Sequence, residues 1–227
     1  MTPSRHLDWA GCCNVCDLGG LPLLSGGVTR WGSLIRADSL DQLHASGWEA
    51  LSAYGVRTVI DLREDDERSS PALRPDDLPV RHVPLDDLDD ALFWSSCDVD
   101  PPLTYRPFLA AKADRCVAAL QAVAEAPPGG VVFHCGIDRD RTGLLARLLL
   151  HLAGTAPDAI IADYSLSAPR LATYFGRPGD PVAEDLATHG TTVEETLRDL
   201  LDWLGTSARL ALAASDVRAI RARLVVI

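Results

Sequence analysis

The chain has 227 residues, 47% of them hydrophobic and 23% charged, a balance that excludes an intrinsically disordered polymer and fits one domain of ordinary size. Acidic residues outnumber basic ones 32 to 21, for a formal charge of −11, and no basic tract interrupts the surplus. Neither nucleic acid nor an anionic membrane is expected as a partner.

Residues 1–16 hold no continuous apolar core, so no signal peptide is read. The longest apolar run, 144–153, is broken by Arg147 and His151 and is shorter than a bilayer requires. The expected location is the cytoplasm, where the six cysteines stay reduced. Cys13 and Cys16 form one CxxC with no second CxxC or CxxH, so neither a metal nor another cofactor is expected.

In chain order, 14–36 reads as short extended pieces turned by Gly19-Gly20 and Gly26-Gly27. The pattern over 41–54 is helical and stops at Gly55. The β-branched run 56–62 reads as a buried strand, and 80–83 as another before the acidic stretch 86–90. A long helix is expected over 104–126, ended by Pro127-Pro128-Gly129-Gly130, with a short strand over 131–133. The remainder is mostly helical: 142–153, then 157–165 with Pro157 in its first turn. A capping box, Thr192 to Glu195, opens a helix reaching about 205, and 215–224 closes the chain. Strands interleaved with helices predict an α/β fold, a single domain over 1–227 whose mainly parallel central sheet is flanked by helices.

The stretch that carries chemistry is Val131-Val132-Phe133-His134-Cys135-Gly136-Ile137-Asp138-Arg139-Asp140-Arg141-Thr142-Gly143. A strand delivers a cysteine, a short loop follows, and an arginine opens an apolar helix. Loop amides and helix N-terminal amides there can converge into an anion cradle. Arg141 offers a planar fork for two oxygens of a phosphate. A thiolate can attack phosphorus while the cradle carries the charge of the transferring group. The reaction class is phosphoryl transfer through a phosphocysteine, completed by water.

His134-Cys135-x5-Arg141-Thr142-Gly143 resembles the signature of the protein tyrosine phosphatase superfamily, most closely the bacterial tyrosine/serine phosphatases with an HCxxGKDRTG loop that also accept phosphoinositides. Residues 14–20 resemble that branch's NFRDLGG, 31–38 its WGxLYRSD, 55–63 its GIRTVIDLR, and 163–167 its DYxLS. The resemblance covers about 14–167, leaving 168–227 as a helical C-terminal part. It implies Cys135 as nucleophile, Arg141 as phosphate clamp, and Gly136, Ile137, Asp138, Arg139, Asp140 and Arg141 as the phosphate-binding loop. Protein phosphotyrosine is the default substrate. A small phosphorylated metabolite is the alternative, and a catalytically weakened phosphate-binding protein is a third reading. Asp140 is the expected general acid by the same resemblance. Asp86 is its rival, because it resembles the acid-bearing segment after a strand in dual-specificity phosphatases. Asp61 and Arg63, at a strand's carboxyl end, are expected to brace the loop, with Thr142 in support. His134 is expected to orient the cysteine through its ring.

Three departures from the branch bear on the site. Asp138 stands where it has glycine, and Cys16 where it has arginine. A carboxylate about 5 Å from a phosphate costs roughly 3 kcal/mol per charge pair at an effective dielectric near 20. Asp138 is thus harmless if it faces solvent or pairs with Arg139; otherwise it tunes substrate choice or signals lost activity. Cys16 is expected to be a core thiol, with a redox neighbour of Cys135 as the alternative. Arg139 replaces lysine and is expected to contact substrate beyond the phosphate.

Overall fold

The computed structural model describes residues 4–69, 73–97, 99–206 and 210–226. Short aliphatic runs form five strands: β1 (Val15–Asp17), β2 (Leu34–Ala37), β3 (Val56–Asp61), β4 (Val80–His82) and β5 (Gly130–His134). They make one sheet in the order β1-β2-β5-β3-β4. β1 runs antiparallel to β2, and the other three pairings are parallel, as the sequence pattern predicts.

Central β5 is buried along its whole length, which explains a run without polar alternation. Val131 and Phe133 face one core and Val132 the other. The smaller core lies under α1 (Ala45–Ala53), around Trp9, Trp48 and Ile35. On the opposite face, α4 (Ala113–Ala124) and α5 (Arg141–Ala153) pack with α6 (Pro157–Ser165), α9 (Val193–Thr206) and α10 (Ala214–Leu224). α5 runs through the middle of this layer and closes at Gly154, whose φ of 78° is the left-handed conformation of a helix end.

Three expectations change. The helix over 41–54 begins only at Ala45. Residues 40–42 are a 3-10 turn capped by Ser39, and Leu43 is extended. The long helix over 104–126 is two, α3 (Tyr105–Ala111) and α4, broken at Lys112 with φ −125° and ψ 34°. The ammonium of Lys112 is drawn onto Asp87, at 2.7 Å, and Asp90. Finally, α2 (Ala91–Ser96) forms where no helix is read from sequence, and α7 (Ala168–Tyr174) and α8 (Pro181–Thr188) form inside the part expected to be helical, at bounds that are not read. They are six to eight residues long, too short for a clear period, and prolines in the first turns of α7 and α8 read as breakers.

β2, β3, β4 and β5 all end at the same sheet edge. Asp38, Asp61, Asp86 and Cys135 follow or close those ends, so one edge collects three carboxyl groups and the candidate nucleophile.

Candidate active site

β5 delivers Cys135 to this edge, and the Thr142 hydroxyl donates to its Sγ at 2.9 Å. Each loop carbonyl between Cys135 and α5 has a hydrogen-bond partner outside the loop. Ser39 N–H holds Gly136 O at 3.0 Å. Asn14 Nδ2 reaches Ile137 O and Asp138 O, both at 3.4 Å. The Tyr105 hydroxyl holds Arg139 O at 3.3 Å and Asp140 O at 3.0 Å. In a planar trans peptide each N–H points opposite to the preceding C=O. Five carbonyls held from outside the loop therefore turn the amides that follow them away from those partners, and Ile137 is in addition bridged antiparallel to Asp38. α5 starts at Arg141, so its first amides also lack intrahelical acceptors and carry the positive end of the helix dipole. Gly143 is required by close approach: a Cβ there would meet the Tyr105 hydroxyl at 2.6 Å and the Tyr164 ring at 3.2 Å.

Arg141 arches back over the loop, with Nη2 4.0 Å from where a Cβ on Gly136 would stand. Its fork holds both oxygens of Glu67, Nη2 to Oε1 at 2.6 Å, and its Nε lies 3.2 Å from Asp86 Oδ2. The hydrogen bonds from Arg141 keep Glu67 below the usual carboxylate range. Burial pushes Asp86 up to about 6; Arg141 opposes this, while Glu64, Glu67 and Asp140 add to it. Asp140 has both oxygens on Arg139, at 2.6 and 3.0 Å. Arg139 is thus occupied by its own neighbour, where the sequence reading has it reaching toward substrate.

Asp61 and Arg63 stand beside the loop's first residues. Burial alone would raise Asp61, but the hydrogen bonds from Arg63 prevail and hold it at about 2. Arg63 also binds Ser39 Oγ at 3.1 Å and Asp41. Since Ser39 holds Gly136 O, the chain of contacts from Arg63 ends on the loop. His134 places Nδ1 3.4 Å from Cys135 O and Nε2 3.7 Å from Asp61 Oδ2. Burial pushes its ring down to about 4, so it is neutral at pH 7 and suited to orienting rather than to carrying charge.

Asp138 follows none of the placements considered from sequence. Its side chain is fully buried and ion-paired with Arg36 of β2, neither facing solvent nor meeting Arg139. Alternation along β2 explains this. Leu34 faces the α5 core and Ile35 and Ala37 the other, so Arg36 points to the α5 side, where the loop apex passes. Asp163 of α6 is also fully buried and takes Arg5, Arg36 and Arg147. Burial would raise it, yet the three arginines hold it at about 2. Cys16 sits opposite Arg36 in the β1–β2 register and is a buried thiol pushed up to about 11 by burial. Arg5, next to the His6–Cys16 bridge, binds Asp163.

Glu67, Tyr105, Ser39 and Arg36 carry contacts that no local pattern signals. Asn14, Arg36 and Ser167 do lie in the segments that resemble the branch, and that was the available hint. Among the described residues no group of three or more His, Cys, Asp or Glu could hold a metal ion, and all six cysteines are free thiols.

Residues 7–226 match the profile of the Tyrosine phosphatase family. A tyrosine-protein phosphatase of Nostoc commune is 32% identical over 164 residues, covering 70% of this chain and 54% of the relative. The triple specificity protein phosphatase PtpB of Mycobacterium tuberculosis is 29% identical over 169 residues, covering 60% of each. The chain thus spans 54% and 60% of the lengths of these two curated relatives. A crystal structure of P. aeruginosa TpbA aligns with 75% of this chain and 87% of its own at 22% identity and a TM-score of 0.34.

Proposed function

Because the chain belongs to the tyrosine phosphatase family, we propose that it hydrolyses phosphate monoesters through a phosphocysteine at Cys135, with protein phosphotyrosine as substrate. The observation that carries the reading is the hold from outside the loop on all five of its carbonyls, above a cysteine that accepts the Thr142 hydroxyl. A dianionic oxyanion is what amides turned away from those partners suit. The bound phosphate takes the Arg141 fork from Glu67, giving a bidentate guanidinium–phosphate pair. Cys135 Sγ attacks phosphorus as the ester P–O bond breaks, and the leaving oxygen receives a proton. Water then attacks phosphorus, the S–P bond breaks, and phosphate leaves. The thiolate, the amides and Arg141 supply this chemistry without metal or cofactor.

For the proton donor we take Asp86 in preference to Asp140. Asp86 has a carboxyl held near pH 6 beside Arg141, whereas both oxygens of Asp140 are committed to Arg139. A donor serves best when its pKa lies close to the working pH. The same reading takes 1–227 as one catalytic unit in the cytoplasm. In support, Leu197, Leu200, Ile220 and Leu224 from the C-terminal helices share the core with Phe133 and Leu145. No described helix is long and apolar enough to cross a membrane.

The test is phosphate release from a phosphotyrosine peptide, an aryl phosphate and a panel of phosphorylated metabolites. Wild type turns over the peptide and the aryl ester, and Cys135→Ser abolishes both. Activity that survives Cys135→Ser would refute the phosphocysteine. A metabolite preferred over the peptide would move the substrate to the small-molecule class.

A further inference from the structure

Between Cys135 and Arg141 the loop side chains behave differently. Arg139 and Asp140 bind one another at the surface of the site, whereas Asp138 runs inward. Its φ of 55° is the left-handed region, which a residue with a Cβ occupies at a cost. Something must hold it there, and the surroundings do so at both ends of the residue. Arg36 Nη1 binds Asp138 Oδ2 and also the Ser167 Oγ at 2.8 Å. Ser167 Oγ in turn donates to Asp138 O at 3.4 Å, and Asn14 Nδ2 reaches the same carbonyl. Arg36 is itself held: its side chain is 2% exposed, with Nη2 on Asp163 O at 2.9 Å and Nε 3.3 Å from Asp163 Oδ2. In the sheet register Arg36 pairs with Phe133, two residues before the nucleophile. The apex of the loop and its base are thus fixed to the same rung of the sheet.

We propose that Asp138 is a positioning residue. Its carboxyl, turned away from the cradle and held on Arg36, fixes the loop apex in the left-handed turn that aims the amides at the bound oxyanion. The inference rests on the reading of this loop as a phosphate site. A glycine at 138 accepts the same φ but also many others, so the turn would be reached without being held. Preorganised donors bind an oxyanion better than donors that must first be ordered. The repulsion that a carboxylate in this loop suggests is offset, because the side chain is turned onto Arg36, and burial, opposed by Arg36 and helped by Asp163 and Asp38, pushes its carboxyl up to about 8.

The test is calorimetric binding of inorganic phosphate and of tungstate to the reduced full-length protein. Wild type, Asp138→Gly and Asp138→Asn are compared at a temperature where melting curves show each one folded, and KM and kcat are taken on an aryl phosphate. Asn tolerates the left-handed turn and keeps a hydrogen bond to Arg36. Asp138→Gly is expected to weaken both oxyanions by about tenfold or more and to raise KM in proportion, while Asp138→Asn stays within about threefold of wild type. A role in stability alone would lower the melting temperature and leave oxyanion binding unchanged. Binding by Asp138→Gly within about threefold of wild type, or tighter, overturns the proposal. So does an Asn variant as weak as the Gly one, or, where the Gly variant fails to fold, an Asn variant weakened about tenfold. Wild type that binds neither oxyanion removes the phosphate-site reading and this inference with it. Wild-type binding with an unaffected Gly variant removes the inference alone.

Discussion

Arg141 and Arg36 address one loop from the solvent side and from the core side, each between two carboxylates. The side chain of Arg141 is 12% exposed, and its partners Glu67 and Asp86 are 32% and 25% exposed. Arg36 is 2% exposed, and Asp138 and Asp163 are fully buried. The chemistry is the same and the surroundings differ. Near water, a carboxylate that leaves its arginine is rehydrated, so the pair exchanges at low cost. In the core, a carboxylate that leaves strands two charges at a penalty of several kcal/mol. On the proposed function, the outer arginine releases Glu67 to accept a phosphate, whereas the inner one holds the frame against which that exchange takes place.

The contrast breaks most visibly at Asp163, on the inner side. Asp163→Asn leaves Arg5, Arg36 and Arg147 short of a buried counter-charge, with an expected loss of about 3–5 kcal/mol of stability in urea unfolding. The pH dependence has a definite sign. Asp163 is held at about 2, below its unfolded value near 4, so its contribution is complete above pH ~4 and is lost as pH falls toward 2. A variant as stable as wild type at pH 7 would show that the inner network is not a frame.

On the outer side the next largest effect is expected at Asp86. Asp86→Asn should lower kcat on a phosphotyrosine peptide by about a hundredfold. It should also remove the decline in rate as pH rises through about 6, where the acid form of Asp86 is lost. Asp140→Asn should change kcat by only about threefold, since that carboxylate serves Arg139. The reverse ranking would assign the proton to Asp140.

The smallest effect sharpens the idea of exchange. Glu67→Gln removes the charge that competes for the Arg141 fork, so KM and the inhibition constant for phosphate should fall by about three- to tenfold, with kcat moving less. A rise in both constants would mean that Glu67 holds the fork in place instead of contesting it.

Much of the site is legible from local spacing. Cys135, Arg141 and Thr142 lie on one short stretch between a strand and a helix, and covalent geometry alone brings them together. The helix 157–165 is recovered at its stated bounds because Pro157 fixes its first turn. Segments 14–20, 31–38 and 163–167 stand out by resemblance only, and each proves to deliver a loop anchor: Asn14, Arg36, and Asp163 with Ser167. Their roles were not legible, because each acts on a loop more than a hundred residues away or across a helix layer. The acid shows the same limit, since the sequence offers two aspartates and no means of seeing that Arg139 holds one of them.

The −11 balance and the Cys-x5-Arg stretch by themselves determine that any anion must be taken up by a few local cations and amides rather than drawn in by a basic surface. Only the tertiary structure decides which carboxylate meets which arginine. A charge in a folded chain takes its partner and its pKa from distance and burial, and neither follows from position along the chain. Asp138 is the clearest case. Along the chain it is an acid in a loop that resembles a phosphate site; in the fold it points the other way, onto Arg36.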